Sequence, residues 1–507
     1  MAKISKAACI GGGIIGGAWA ARFVLAGIDT RIFDPHPEAQ RLLSEVMANA
    51  ELTYEMLTRA RLPVKATLNF SESVDEAVRG AEWIQESVPE KLDLKRVLAQ
   101  IDAAADPKAL IGSSTSGLMP TDLQRDMKHR ERMFVAHPYN PVYLLPLAEL
   151  VGGKKTPRAV LEDAKVKLAT IGMTGLIINK EIEAFVGDRL LEAFWREALW
   201  LIKDDVCDTE TLDNMIRYSF RLRWAQMGLF ETYRMAGGEA GMRDFLSKYG
   251  PSLSWPWTKL TDVVDLDADL VEKIAVQSDA QPGQRGIREL ERIRDQNLVG
   301  IMQALKAGDE GRGWGAGKLL AEFEAHLWKT APNRQDNPSN EALKLLEVKV
   351  PVAWIDYNGH MTEYRYTQCF ADACDALLQL VGADIDYVKA GHSYYTVESH
   401  VRLLAEAKLG DALYVTAQLL PSDGKKIHTF MWLYRASDDT LLSTYEHLML
   451  HVSSKEGRSV PPLPEVMRKL KPLIEAHAVL AAPDAAGRVG WAEELNPQLR
   501  SRASPPR

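Results

Sequence analysis

Short apolar runs alternate with helix-length amphipathic segments along the first third of the chain. Ala7, Ala8, Cys9 and Ile10 form such a run and lead into a glycine turn, and residues 18–25 then carry apolar positions at helical spacing up to a stop at Gly27. Thr30, Arg31, Ile32, Phe33 and Asp34 follow as a second strand, and residues 37–61 return to helical periodicity. Trp83, Ile84, Gln85, Glu86, Ser87 and Val88 read as a buried strand closed by Pro89, with a helix beginning near Glu90. Leu110 to Ser114 and Met133 to Ala136 read as two more. Strands alternating with helices predict a doubly wound parallel sheet, the α/β Rossmann class, whose ligands sit beyond the carboxyl ends of the strands.

From residue 189 to 323 the pattern turns wholly helical, with Leu190, Leu191, Phe194, Ala198 and Leu201 on one stripe, which predicts an all-α second domain. Residues 330–340 are polar, hold two prolines and show no periodicity, so they read as a linker. Beyond it, residues 348–355 alternate as a strand, 356–361 form a turn and 363–380 a long helix. Strands are then expected at 394–404, 413–420, 427–434 and 441–452, which is an α+β pattern. One amphipathic segment, 464–477, precedes a polar, proline-tipped end that reads as mobile. The expected division is therefore 1–185, 186–329, a linker at 330–342, 343–455, and a tail at 456–507.

At 507 residues the chain exceeds one hydrophobic core, and 46% hydrophobic with 26% charged residues is an ordinary globular balance. A net charge of −8 without a basic block argues against nucleic acid or acidic membranes as partners. Cys9, Cys207, Cys369 and Cys374 have no metal-binding spacing and make no disulfide framework, so no metal is expected and a cytoplasmic location fits. No apolar stretch is long enough to span a bilayer, and the first strand starts too near Met1 for a signal peptide.

The glycine turn carries the first candidate chemistry. Gly11, Gly12, Gly13, Ile14, Ile15 and Gly16 form a GxGxxG fingerprint between strand and helix. In it, Gly11 permits the turn, Gly13 the approach of a pyrophosphate, and Gly16 close packing of helix on sheet. Asp34, ending the second strand, can accept both ribose hydroxyls and would repel a 2′-phosphate, so the expected cofactor is NAD. A second candidate is His137, at a strand's carboxyl edge, with Glu149 downstream. A neutral imidazole there can take a hydroxyl proton, and a carboxylate can fix its tautomer and stabilise the imidazolium.

These motifs, with Glu86, Ser87, Val88, Pro89, Glu90 and Lys95, with Ser114, Thr115 and Ser116, and with His137, Pro138, Tyr139, Asn140 and Pro141, resemble the 3-hydroxyacyl-CoA dehydrogenase family over residues 1–320. The resemblance implies that His137 is the catalytic base, Glu149 its partner and Ser116 a hydrogen-bonding group for the reacting oxygen. It also implies Glu90, Lys95 and Asn140 along the nicotinamide half of NAD, and a helical domain that dimerises. Where that family has Gly-Phe-x-x-Asn-Arg, this chain has Ala184, Phe185, Val186, Gly187, Asp188 and Arg189, a carboxylate in place of an amide on the substrate side. Aromatic residues are dense in the helical region, and Trp255 and Trp257 bracket Pro256 in a loop. Such a pair is a candidate cage for a quaternary ammonium, at ~1–2 kcal/mol per desolvated cation–π contact.

Trp354, Ile355, Asp356, Tyr357, Asn358, Gly359 and His360 before the long helix, and Leu409, Gly410 and Asp411 before a later strand, resemble the 4-hydroxybenzoyl-CoA thioesterase-like hot-dog family over residues 345–455. That likeness implies Asp356 as the acid that attacks the thioester or activates water, with Glu363 as its rival, and amides near Gly359 to Met361 as oxyanion donors. The pairing on one chain resembles the bacterial carnitine dehydrogenase and betainyl-CoA thioesterase fusions. It implies NAD-dependent oxidation of L-carnitine to 3-dehydrocarnitine and hydrolysis of betainyl-CoA to glycine betaine, in a homodimer or higher homo-oligomer. The alternative reading is a 3-hydroxyacyl-CoA or L-gulonate type dehydrogenase joined to another thioesterase or to a non-catalytic module.

Overall fold

A computed structural model of the chain describes residues 4–489 apart from 59, 61, 65, 237–238, 240, 250–257, 260–264, 266, 281–285, 310, 331–340 and 352–353. Two compact units divide it, Met1–Thr330 and Ala331–Arg507.

In the first unit, eight strands form one sheet in the order β3-β2-β1-β4-β5-β6-β7-β8. They are β1 (Lys6–Ile10), β2 (Asp29–Phe33), β3 (Leu68–Phe70), β4 (Trp83–Glu86), β5 (Leu110–Ser113), β6 (Met133–Pro138), β7 (Leu147–Gly152) and β8 (Thr174–Ile178). The sequence predicts a wholly parallel sheet, and the pairings from β3 through to β6 are parallel. The pairing of β6 with β7 is antiparallel instead. The connection after Pro138 is too short for a crossover helix, so the chain must turn back beside the strand it has just left. The strand expected to run to Val88 ends at Glu86, because the Glu86 carboxylate accepts the Val88 N–H at 2.7 Å and takes it out of the ladder.

Strands β4, β5 and β6 are buried along their whole length, as central strands covered on both faces must be. On one face Trp19 and Phe23, from the Ile14–Leu25 helix, pack with Trp83 and Phe134 at ring centroid distances of 5.6 to 6.5 Å. Arg22, on the same helix, is buried with no carboxylate partner among the described residues. Its guanidinium donates to the carbonyls of Val142, Leu145, Ile171 and Gly172, at 2.8 to 3.2 Å. Those oxygens would otherwise lack donors in the interior, so Arg22 anchors the segment that follows the His137 strand. Tyr143 in that segment donates to buried Asp295 of the Ile287–Ala307 helix. The last two helices of the unit therefore share the sheet's core, through Met302, Phe323 and Leu327, whereas Leu199, Ile202 and Leu270 form a smaller core of their own.

The second unit sets the Glu363–Val381 helix against an antiparallel sheet in the order β10-β13-β12-β11-β9, with β14 (Arg458–Ser459) paired to β13. Its strands are β9 (Leu343–Lys349), β10 (His392–Leu403), β11 (Ala412–Leu420), β12 (Lys426–Arg435) and β13 (Thr440–Ser453). This is the hot-dog arrangement: Phe370 of the helix stacks on Tyr445 of β13 with centroids 5.0 Å apart, and Leu377 and Val381 are fully buried. The strand expected over residues 348–355 lies earlier in the chain. Val350 still donates to Asp411, but Pro351 has no N–H to continue the ladder, so β9 stops at Lys349. The Pro464–His477 helix packs against β11, and the chain beyond it stays bonded to the sheet as far as Arg488.

Candidate active site

The fingerprint glycines sit where their lack of a side chain is needed. Gly11 has φ +95°, and a Cβ there would lie 2.7 Å from the Ser87 carbonyl oxygen; at Gly16 it would lie 1.9 Å from that of Gly11. At Gly13 a Cβ would meet nothing within 4 Å, which leaves open space in front of a helix that has no side-chain cap. Unpaired N–H groups beside open space make a seat for a diphosphate. Ile14 is exposed and Ile15 half-buried at the same helix start. Asp34 accepts the N–H of Gly12 at 2.5 Å and that of His36 at 2.7 Å, which fixes its carboxylate at the strand tip with lone pairs left for ribose hydroxyls. These residues fit NAD.

Beyond β4 and β5 the expected nicotinamide-side residues divide. Lys95 is 2% exposed, and its ammonium is engaged by Glu86 at 2.9 Å and by the Val88 carbonyl at 3.0 Å, with Glu90 3.7 Å away. It lies in the floor, as the counter-charge of a buried carboxylate that sequence spacing does not reveal. Glu90 Oε1 accepts the Thr115 hydroxyl and the N–H groups of Ser116 and Gly117, both at 3.2 Å, and so shapes the turn that carries Ser116. Ser116 and Asn140 are both exposed, each just past the end of its strand. A Cβ on Gly117 would find its nearest neighbour in the Ala184 N–H, so this turn faces the entry to the helical region.

The β6–β7 register puts His137 directly opposite Glu149. His137 Nδ1 and Glu149 Oε2 are 2.9 Å apart and both residues are buried, with Phe185 and Tyr139 rings against the imidazole. The carboxylate has further donors that the sequence does not announce. Tyr139 hydroxyl donates to Oε2 at 2.9 Å, and the N–H groups of Val186 and Gly187 donate to Oε1 at 3.0 and 3.1 Å. Burial alone would raise the carboxyl's pKa, but the bonds from His137, Tyr139, Gly187 and Val186 outweigh it and hold Glu149 below the usual range. Nδ1 is thereby fixed as a donor and Nε2 turns outward. Ala184 and Phe185, both at positive φ, make the bend that brings the amides of the next two residues to that carboxylate.

Asp188 lies in the first turn of the Gly187–Lys203 helix with Oδ2 3.6 Å from His137 Nε2. Among the described residues its charge-pairing contact is with this imidazole, which makes an ion pair only when protonated, and no pair with Arg189 accompanies it. Burial, and then the carboxylates of Glu149, Glu90 and Glu192, push its pKa up, while His137 pulls the other way. Trp255 and Trp257 lie outside the described residues. No group of His, Cys, Asp or Glu that could hold a metal occurs among the described residues, and no helix among them is long and apolar enough to cross a membrane.

In the second unit Asp356 is half-buried in the turn before the helix, where Oδ1 accepts the Asn358 N–H at 2.8 Å. Of the amides expected as oxyanion donors, those of Gly359 and Met361 are engaged within the protein, whereas that of His360 has no acceptor among the described residues. Gly359 N–H bonds the Asp356 carbonyl and Met361 N–H bonds that of Ala407, since the turn closes on itself and on the neighbouring loop. The helix itself starts without a side-chain cap, so its first-turn amides at Glu363 and Tyr364 are further candidate donors. Glu363 is exposed.

Sequence profiles of the 3-hydroxyacyl-CoA dehydrogenase NAD binding domain and C-terminal domain match residues 6–182 and 185–275, and that of the thioesterase-like superfamily matches 350–470. A Rhizobium meliloti protein described as L-carnitine dehydrogenase/betainyl-CoA thioesterase is 66% identical over 96% of this chain and 99% of its own length. An Agrobacterium fabrum protein of the same description is 52% identical over 95% and 97%. The L-carnitine dehydrogenase of Oceanobacillus iheyensis is 44% identical and covers 60% of this chain with 99% of its own. Among solved structures, an NAD-dependent 5-formyl-3-hydroxy-2-methylpyridine 4-carboxylic acid 5-dehydrogenase superposes with a TM-score of 0.52 at 26% identity, covering 60% of this chain and 99% of its own.

Proposed function

This chain belongs to the L-carnitine dehydrogenase/betainyl-CoA thioesterase family, and we propose that His137 and Glu149 carry its oxidation chemistry while Asp188 selects the cationic substrate. The enzyme oxidises L-carnitine to 3-dehydrocarnitine with NAD, and hydrolyses betainyl-CoA to glycine betaine and CoA.

His137 Nε2 takes the proton of the 3-hydroxyl group, and Glu149 stabilises the imidazolium so formed. Ser116, on the turn shaped by Glu90, hydrogen-bonds the oxygen as it becomes a carbonyl. When bound, NAD supplies the acceptor for the hydride leaving C3. Glu90, Lys95 and Asn140 lie on the nicotinamide side, Lys95 by holding Glu86 and the loop in place. In the second unit Asp356 acts on the thioester, with the helix's first-turn amides as oxyanion donors. Exposed Leu190, Leu191, Phe194 and Trp195 along the Gly187–Lys203 helix support a homodimer or higher homo-oligomer.

The observation that carries the substrate side is the charge around Asp188. Burial first, and then Glu149, Glu90 and Glu192, oppose its ionisation, and a trimethylammonium close to the reacting hydroxyl offsets both. The Asp188 side chain is 31% exposed, so solvent screens part of the attraction. Asp188→Asn is expected to lower kcat/KM for L-carnitine about tenfold, with no change for the neutral isostere bearing a tert-butyl group in place of the trimethylammonium. Since the carboxylate must be ionised to attract a cation and its pKa is raised, KM for L-carnitine should begin to climb, as pH falls, above the ordinary carboxylate range. Equal effects of Asp188→Asn on the two substrates would remove Asp188 from this role.

A further inference from the structure

Glu149 is held by four donors, two on each oxygen. Oε1 takes the backbone N–H groups of Val186 and Gly187, whereas Oε2 is shared between His137 Nδ1–H and the Tyr139 hydroxyl, each at 2.9 Å. The sharing is built into the backbone. A Cβ on Gly187 would lie 1.5 Å from the Tyr139 oxygen, so the helix that carries Asp188 can start here only with a residue that leaves the phenol its place. The Tyr139 ring also packs on the imidazole, with centroids 5.1 Å apart.

We propose that Tyr139 is a positioning residue for the dehydrogenase reaction, whose hydroxyl competes with His137 for one oxygen of Glu149 and so sets how strongly the His137–Glu149 pair holds the proton taken from substrate. The inference rests on the reading of His137 as the base. A carboxylate oxygen that already accepts one hydrogen bond is a poorer acceptor for a second, so the Tyr139 bond weakens the charge-assisted bond that would stabilise imidazolium. With that bond present, the pair holds a proton taken from substrate less tightly. The phenol is a constant donor. Burial, then its bond to Glu149 and the nearby charge of Asp188, raise its pKa far above the usual phenol range.

Other charged groups facing the pair are Asp188 on the Nε2 side, with Glu90 and Glu192 beyond it, and the carboxylate's other hydrogen-bond donors among the described residues are the two amides. None of these is altered by Tyr139→Phe, which keeps the ring and removes only the hydroxyl.

The test is the pH profile of kcat/KM for L-carnitine, measured on full-length protein at saturating NAD for wild type and Tyr139→Phe. The acid limb is expected to move to higher pH by roughly 0.5 to 1 unit, with the alkaline plateau kept within about twofold and NAD affinity unchanged. In a Glu149→Gln background the same substitution should move nothing further. An unmoved limb, a shift to lower pH, or a full shift that persists without the Glu149 carboxylate would each overturn the inference. The underlying base assignment fails separately, by an acid limb that survives in His137→Asn with normal turnover.

Discussion

His137→Asn is expected to lower kcat for L-carnitine oxidation by about 10²- to 10⁴-fold, with the NAD dissociation constant unchanged. The magnitude is the usual worth of a general base, and the structure gives reasons why no neighbour should substitute for it. Glu149 is buried and its oxygens are engaged by four donors, so it cannot turn to the substrate. Asp188 stands 3.6 Å from Nε2, yet a carboxylate that attracts the substrate's cation is a weak acceptor for a hydroxyl proton. Asparagine retains a polar group near the ring position, so the loss should fall on kcat rather than on folding. Single-turnover measurement with NAD prebound isolates the chemical step. Near-normal turnover in the variant would remove His137 from the role of base.

Much of this arrangement is legible in the amino-acid sequence itself. The strand and helix alternation, the glycine fingerprint and Asp34 are local signals, each confined to a few consecutive residues with a period of its own. His137 and Glu149 are both legible as a strand-end histidine and a downstream carboxylate. That they face one another depends on an antiparallel pairing, for which the sequence offers only the brevity of the connection. Tyr139, Val186 and Gly187 escape a sequence reading for a different reason. Their bonds to Glu149 join segments up to 38 residues apart, and two of the donors are backbone amides, which every residue but proline has. Lys95 presents the converse case. The family resemblance sets it along the cofactor, but burial beside Glu86 makes it the counter-charge of that carboxylate. Likewise the alternation of residues 348–355 looks like a strand, and only the missing N–H of Pro351 ends it early.

For the second unit, Asp356→Asn is expected to reduce CoA release from betainyl-CoA by about 10²- to 10³-fold, whereas Glu363→Gln should stay within a few-fold of wild type. Asp356 lies in the turn before the helix and Glu363 in the helix's first turn, and their surroundings differ. Asp356 is half-buried, and the Asn358 N–H bonds one of its oxygens, which orients the carboxylate. Glu363 is exposed, and solvent leaves it free to rotate. An oriented acid in the turn that leads into an uncapped helix suits a thioester carbonyl whose oxygen the helix amides polarise. Because Asp356 also closes its turn, the variant's fold should be checked by the dehydrogenase activity it retains and by its melting temperature. A Glu363→Gln variant that loses CoA release while Asp356→Asn keeps it would reverse the two assignments.

Whether this His–Glu pair and the carboxylate beside it serve a small cationic 3-hydroxy substrate is decided by NADH formation with purified full-length protein. L-carnitine, 3-hydroxybutyryl-CoA and L-gulonate would be compared at saturating NAD. The expected kcat/KM for L-carnitine is at least about tenfold above either of the others, since only the cation gains from the field around Asp188. Comparable turnover of the CoA ester or the sugar acid would contradict it.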